Sequence, residues 1–147
     1  MLKLMYITND PTVAKIAADA GVDRIFIDME VLGKAERQGG MDTVQSYHVP
    51  EDIAKVRAAI GDQAEIMARV NPLNPNSQTE IDDAIANGAD VIMLPMWRTA
   101  DDLRQLVSMV DGRAKVMPLL ETDTAADNLP EALAILGIDQ MHIGLND

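Results

Sequence analysis

Six short apolar runs constrain the fold of this 147-residue chain more than any other feature: Leu2–Thr8, Arg24–Glu30, Glu65–Val70, Val91–Met96, Val116–Glu121 and Met141–Leu145. None shows the polar–apolar alternation of a half-solvated strand, so each reads as a strand covered on both faces. Amphipathic segments separate most of them. Asp10 or Thr12 caps Val13–Ala20 ahead of Gly21, and Pro50 begins a helix through Ile60 before Gly61. Ser77 or Thr79 opens a helix through Ala86 that Asn87-Gly88 stops, and Thr99 heads Ala100–Val110, closely followed by Gly112. Thr122 to Thr124 precede a fifth helix running to about Leu136, which Pro130 kinks or divides.

Strand and helix thus alternate five times before a sixth strand, the order of a parallel sheet with helices outside it. The fold class is α/β. Strand centres at Leu4, Ile27, Ala68, Met93, Leu119 and Ile143 lie about 25 residues apart except between the second and third, a rhythm that suits a (β/α) TIM-type barrel. The longer interval holds VLGKAERQGGMDTVQSYHV, which reads as an excursion or lid. No shift in composition marks a boundary, so residues 1–147 are expected to form a single domain. A complete barrel has eight units and roughly 200 to 250 residues. Six strands and five helices therefore read as an incomplete barrel whose wall is completed by further chain or by another chain. The competing reading is an intact, doubly wound six-stranded sheet.

Charge and cysteine content narrow the function. Twenty-four acidic residues against 12 basic ones give a formal charge of −12, which repels nucleic-acid phosphates and anionic lipid, so neither nucleic acid nor membrane is expected as a partner. The absence of cysteine removes disulfide, zinc-thiolate and thiol-nucleophile chemistry. No apolar stretch reaches the length of a membrane span or a signal core, and the expected location is cytoplasmic.

The carboxyl ends of the strands, where parallel α/β folds carry their working residues, are unusually charged. The second strand closes with Asp28-Met29-Glu30, the third with Arg69-Val70-Asn71, the fifth with Glu121-Thr122, and the sixth with Asn146-Asp147. Converging on one mouth, four carboxylates and one guanidinium sum to −3, a charge that a bound cation would neutralise. Oxygen ligands without cysteine favour a hard divalent ion, Mg²⁺ or Mn²⁺. Any one of these acids also reads as a helix cap, Glu121 before Thr122 most plainly. Arg69, set among Ile66, Met67, Ala68 and Val70, calls for an anionic partner.

At these same residues the chain resembles the HpcH/HpaI aldolase and citrate lyase β-subunit family, metal-dependent barrels that handle pyruvate-like enolates. FIDMEVLGKAERQ looks like the family's I-D-x-E strand end, ARVNPLNP its R-V-N-P segment, and PLLETDTAADNL with MHIGLND its metal-binding pair; ADVIMLPMWRTADDL also fits. The resemblance implies that Glu121 and Asp147 ligate the metal, that Arg69 grips a carboxylate or enolate oxygen, and that Asp28 and Glu30 line the pocket and act as base or position a water. Where the family's aldolases carry a histidine after the strand end, this chain has Val31, as citrate-lyase-like members also lack it. Family members extend well beyond the position of Asp147. The implied function is an aldolase, a metal-dependent carbon–carbon lyase that makes or breaks a hydroxy 2-oxo acid, with a pyruvate-like substrate and a homo-oligomeric assembly. Its alternatives are a citrate-lyase-like acyl-CoA lyase and a noncatalytic oligomerising fragment of such a barrel.

Other residues read as structural. His48 lies in the long loop near a helix start, His142 is expected to face the helices, and the ten methionines read as core filler. Trp97 and Arg98 follow the fourth strand at the height of the mouth, as pocket wall or packing. Gly33, Gly39 and Gly40 lack dinucleotide-binding spacing, and no P-loop occurs.

Overall fold

A computed structural model describes residues 2–33 and 47–144. Six strands run in the order β1 (Met5–Ile7), β2 (Arg24–Asp28), β3 (Glu65–Arg69), β4 (Val91–Leu94), β5 (Lys115–Leu120) and β6 (His142–Ile143), and every pair is parallel. They form a curled half-barrel with helices alternating between them, the α/β barrel architecture that the strand rhythm predicts. The helices are α1 (Pro11–Asp19), α2 (Pro50–Ile60), α3 (Ser77–Ala86), α4 (Ala100–Val110), α5 (Asp123–Asp127) and α6 (Leu129–Ala132). None of the described helices is long and apolar enough to cross a membrane.

Local chemistry fixes these boundaries. The Asp10 carboxylate accepts from the amides of Thr12 at 2.7 Å and Val13 at 3.1 Å, starting α1 with Pro11 already at helical φ. Thr99 and Asp102 close a reciprocal capping box on α4, with Thr99 Oγ1 accepting from the Asp102 amide and Asp102 Oδ2 from the Thr99 amide. The expected fifth helix is broken into α5 and α6 around Asn128, because Pro130 has no N–H to continue the ladder.

Side chains alternate between two apolar layers rather than between core and water. Ile25, Ile27, Ile66, Ala68, Ile92, Leu94 and Val116 face the helices in the main core, while Phe26, Met67, Val91, Met93, Met117 and Leu119 cluster on the concave face. Three of the methionines therefore fill the barrel side of the sheet, where a flexible thioether suits an irregular space. Arg24, 7% exposed, closes the lower end of that face, donating to Glu65 and, at 2.9 Å, to Gln140 Oε1. Lys115 pairs with the other Glu65 oxygen.

A repeated device pins the starts of the strands. Gly-x-Asp precedes β2, β4 and β6 as Gly21-Val22-Asp23, Gly88-Ala89-Asp90 and Gly137-Ile138-Asp139. Each aspartate accepts from one amide of the preceding strand's start, Leu4, Ile66 or Val116, at 2.7 to 2.8 Å. Its own N–H returns a bond to the carbonyl of that same residue. The glycine supplies the left-handed turn that aims the aspartate back. At Gly137, φ is +96° and an added Cβ would stand 2.7 Å from Val107 Cγ1, whereas at Gly21, φ +91°, it would meet nothing. Gly137→Ala is therefore expected to lower stability by roughly 2 to 4 kcal/mol and Gly21→Ala by only about 1 kcal/mol in urea unfolding.

Candidate functional site

The strand-end charges converge where β2 and β3 finish. Asp28 and Arg69 are register partners across the two strands, which puts both side chains on the concave face. Their pairing is a two-pronged fork: Arg69 Nε donates to Asp28 Oδ1 at 2.9 Å and Nη2 to Oδ2 at 2.8 Å. Glu30, two residues on and therefore on the same face, brings Oε2 to 3.4 Å from Nε. The Asp28 and Glu30 side chains are each only 3% exposed and that of Arg69 16%. Burial pulls the Arg69 guanidinium down, but its hydrogen bonds to Asp28 and the charges of Asp28, Glu30 and Glu121 outweigh it and hold its pKa above the ordinary value. The guanidinium also lies over the Phe26 ring, 5.4 Å from its centre.

Glu121, just past β5, is the third carboxylate of this mouth and acts on Arg69 through its charge. Its Oε1 accepts the amide of Met96 at 2.8 Å, and Thr122 Oγ1 donates to the Trp97 carbonyl at 3.3 Å, so the loops after β4 and β5 are tied together. Against one guanidinium, the three carboxylates leave a formal surplus of two negative charges. A hard divalent cation matches that surplus in sign and donor type. Among the described residues no three His, Asp or Glu side chains gather closely enough to hold an ion by themselves. Asp147, the partner expected for Glu121, lies outside the described residues. Gly144, the last described residue, approaches closely, its Cβ position 3.3 Å from Glu121 Cβ.

Several residues stand elsewhere than the sequence suggested. His142 is in register with Leu119 of the concave cluster, so it faces the barrel side and not the helices. Burial first, then the charges of Arg69 and Arg24, lowers its pKa. Of the two readings of Trp97, packing holds: it is 2% exposed in the main core, its indole N–H without a partner among the described residues, while Arg98 is exposed. His48 reaches the site, accepting the Asp28 amide on Nδ1 at 2.9 Å, which places its proton on Nε2. Asn71 stood at the third strand end without a role in the sequence reading; its Oδ1 accepts from the amides of Val31 and Leu32, both at 2.9 Å, and fixes the chain leaving Glu30. Its position two residues beyond Arg69 was the available signal.

A cleft of about 600 Å³ opens at the opposite end, where the strands begin, lined by Arg57, Glu65, Asp90 and Lys115 among others. Its cations are paired, Arg57 with Asp90 and Lys115 with Glu65, so charge convergence and not cleft size marks the candidate site.

Known proteins share this fold. The chain aligns with 97% coverage to an HpcH/HpaI aldolase/citrate lyase family protein from Burkholderia cenocepacia J2315, at 18% identity and a TM-score of 0.75, spanning 63% of that chain. With the HpcH/HpaI aldolase from Desulfitobacterium hafniense DCB-2 the values are 97% coverage, 15% identity and 0.70, spanning 62%. Citrate synthase SbnG matches over 97% of this chain at 15% identity and 0.73, spanning 60% of its own length. The chain therefore spans about three-fifths of the solved structures it matches, and at these identities they establish the fold. No curated protein matches the sequence. The family model for HpcH/HpaI aldolase/citrate lyase, however, matches residues 3–147, and the chain belongs to that family.

Proposed function

We propose that this chain carries the substrate-gripping half of a metal-dependent carbon–carbon lyase, an aldolase that makes or breaks a hydroxy 2-oxo acid through a pyruvate-type enolate. The observation that carries the reading is the buried Arg69 fork, braced by Asp28 and Glu30 beside Glu121, in a member of this family. Nε and one Nη2 proton of Arg69 are committed to Asp28, so the Nη1–Nη2 edge remains to donate to a carboxylate or enolate oxygen. Asp28, with both oxygens on Arg69, acts as a brace that fixes the fork. Glu30 positions a water or takes the substrate proton, and His48 holds the Asp28 amide at the same mouth. A divalent ion, Mg²⁺ or Mn²⁺, held by Glu121 and Asp147 would supply the Lewis acidity that polarises the 2-oxo carbonyl.

A citrate-lyase-like reaction on an acyl-CoA is the second reading, favoured by Val31 where the family's aldolases carry a histidine. The reading includes a cytoplasmic location and a homo-oligomer, the latter supported by edge strand β1, which exposes Met5, Tyr6 and Ile7. The test is pyruvate release from a panel of hydroxy 2-oxo acids with Mg²⁺ or Mn²⁺; no release with any metal from a version as long as the solved relatives would overturn the proposal. Calorimetry separates the roles. Arg69→Lys keeps Mn²⁺ binding while pyruvate affinity falls by roughly 1 to 3 kcal/mol, because the charge stays and the fork goes. Glu121→Gln instead weakens Mn²⁺ binding itself.

A further inference from the structure

Glu80, half-buried in the first turn of α3, has both carboxylate oxygens engaged by the loop after β3. Oε2 accepts from the Asn71 amide at 3.2 Å and from Asn71 Nδ2 at 3.1 Å, and Oε1 accepts from Asn74 Nδ2 at 3.1 Å. Among the described residues no amide of α3 itself donates to it, so helix capping does not account for its place. A carboxylate only accepts, which draws the Nδ2 side of the Asn71 amide toward Glu80 and turns Oδ1 the other way. There Oδ1 meets two groups that only donate, the Val31 and Leu32 N–H groups. One orientation of the Asn71 side chain therefore satisfies every neighbour. The preceding amide, that of Glu30 itself, donates to Asp28 Oδ1 at 3.3 Å, so three consecutive amides are tied where the chain leaves β2.

We propose that Glu80 is a positioning residue for the reaction: by locking the Asn71 amide it fixes the backbone just after Glu30 and so sets the Glu30 carboxylate beside Arg69. The inference rests on the reading of Arg69 as the substrate grip and of Glu30 as the group that moves a proton or positions a water, and it needs no metal. Reacting groups must be held to within about half an ångström by outer hydrogen bonds, and a displacement of about 1 Å can cost on the order of 10²-fold in rate. The grip depends on Arg69, which Asp28 holds directly. Loss of Glu80 should therefore act on kcat and spare KM.

Amide hydrogen exchange on the purified chain reads the tie, and steady-state pyruvate release by the version as long as the solved relatives reads its consequence, with circular dichroism confirming each variant's fold. In Glu80→Ala the Val31 and Leu32 N–H groups should exchange at least about tenfold faster than in the wild type. In the same variant kcat should fall at least about tenfold while KM stays within about threefold. The double variant Asn71→Asp with Glu80→Gln reverses donor and acceptor in one bond, its new carboxylate accepting from Val31, Leu32 and the new side-chain amide, and should bring exchange and kcat back to within about threefold of wild type. A role confined to the stability of α3 would not be rescued by a change at Asn71. Unchanged exchange at Val31 and Leu32, a loss that falls on KM as much as on kcat, or a double variant no better than Glu80→Ala would each overturn the inference alone. A wild type that releases no pyruvate would overturn the proposed function and the positioning role with it, even where exchange at Val31 and Leu32 responds to Glu80.

Discussion

Arg69→Met should lower the unfolding free energy by about 3 to 5 kcal/mol, the largest loss expected from a single substitution at the candidate site. Methionine fills much of the same volume, and Met67 and Met93 on the concave face show that a thioether packs there. The loss therefore comes from charge. Asp28 and Glu30 are each 3% exposed at the side chain, and Arg69 is the cation that both approach. Without it two neighbouring carboxylates in a desolvated site lose the cation they share, and repel one another. The same reasoning predicts a rescue: adding Asp28→Asn and Glu30→Gln to Arg69→Met should restore a large part of the stability, since removing a whole buried ionic group costs far less than removing one member. Urea unfolding at neutral pH measures both. A loss below about 1 kcal/mol for Arg69→Met would show that the site is well solvated, and the buried-fork account would fail.

Much of this fold was legible because its punctuation is local. Pro50, Thr99, Asn87-Gly88 and Gly61 set helix ends through capping and φ restrictions that act within a few residues, and α2, α3 and α4 fall on the expected boundaries. Strand ends were legible for a related reason, since Asp28, Arg69 and Glu121 interrupt apolar runs where the chain leaves the sheet. What could not be read from one sequence was tertiary. His142 and Ile143 are adjacent, and only the pairing of Leu119 with His142 decides which of them faces the barrel. His48 stands 20 residues from Asp28, and Asn71 stands 40 from Val31, with no periodicity linking either pair. Trp97 is equally instructive. Its place after β4 left pocket wall and packing both open, but a large ring gains more from burial among aliphatic side chains than its N–H loses, and the main core takes it. The Gly-x-Asp clamp was visible as a triplet before alternate strands, yet its role appears only when the aspartates reach back to Leu4, Ile66 and Val116.

The second large effect is expected at the other end of the barrel, in the acid stability of the Arg24–Glu65–Lys115 network. Burial raises the Glu65 carboxyl, but hydrogen bonds from Lys115 and Arg24, with their charges, more than reverse this and leave it below the ordinary carboxylate value. Asp52 is likewise lowered, burial being outweighed by bonds from Asn9, Lys55 and the Val49 amide. For a depressed carboxylate the unfolded chain binds the proton more readily, so the stabilisation is fully present above its unfolded pKa of about 4 to 4.5 and is lost as pH falls through the lower folded value. His142 adds an earlier, smaller decline, because a histidine held below its ordinary pKa stays neutral in the fold while the unfolded chain protonates below about pH 6.5. Stability measured by urea unfolding should thus slope gently downward below about pH 6.5 and steeply below about pH 4.5. His142→Asn should flatten the upper slope alone. Glu65→Gln should weaken the lower slope and cost about 2 to 4 kcal/mol at pH 7, since it leaves Arg24, 8% exposed at the side chain, without its carboxylate. Should Glu65→Gln reproduce the wild-type acid slope, the network at the foot of the barrel would not be the source of acid sensitivity, and the assignment of Glu65 as its pivot would be wrong.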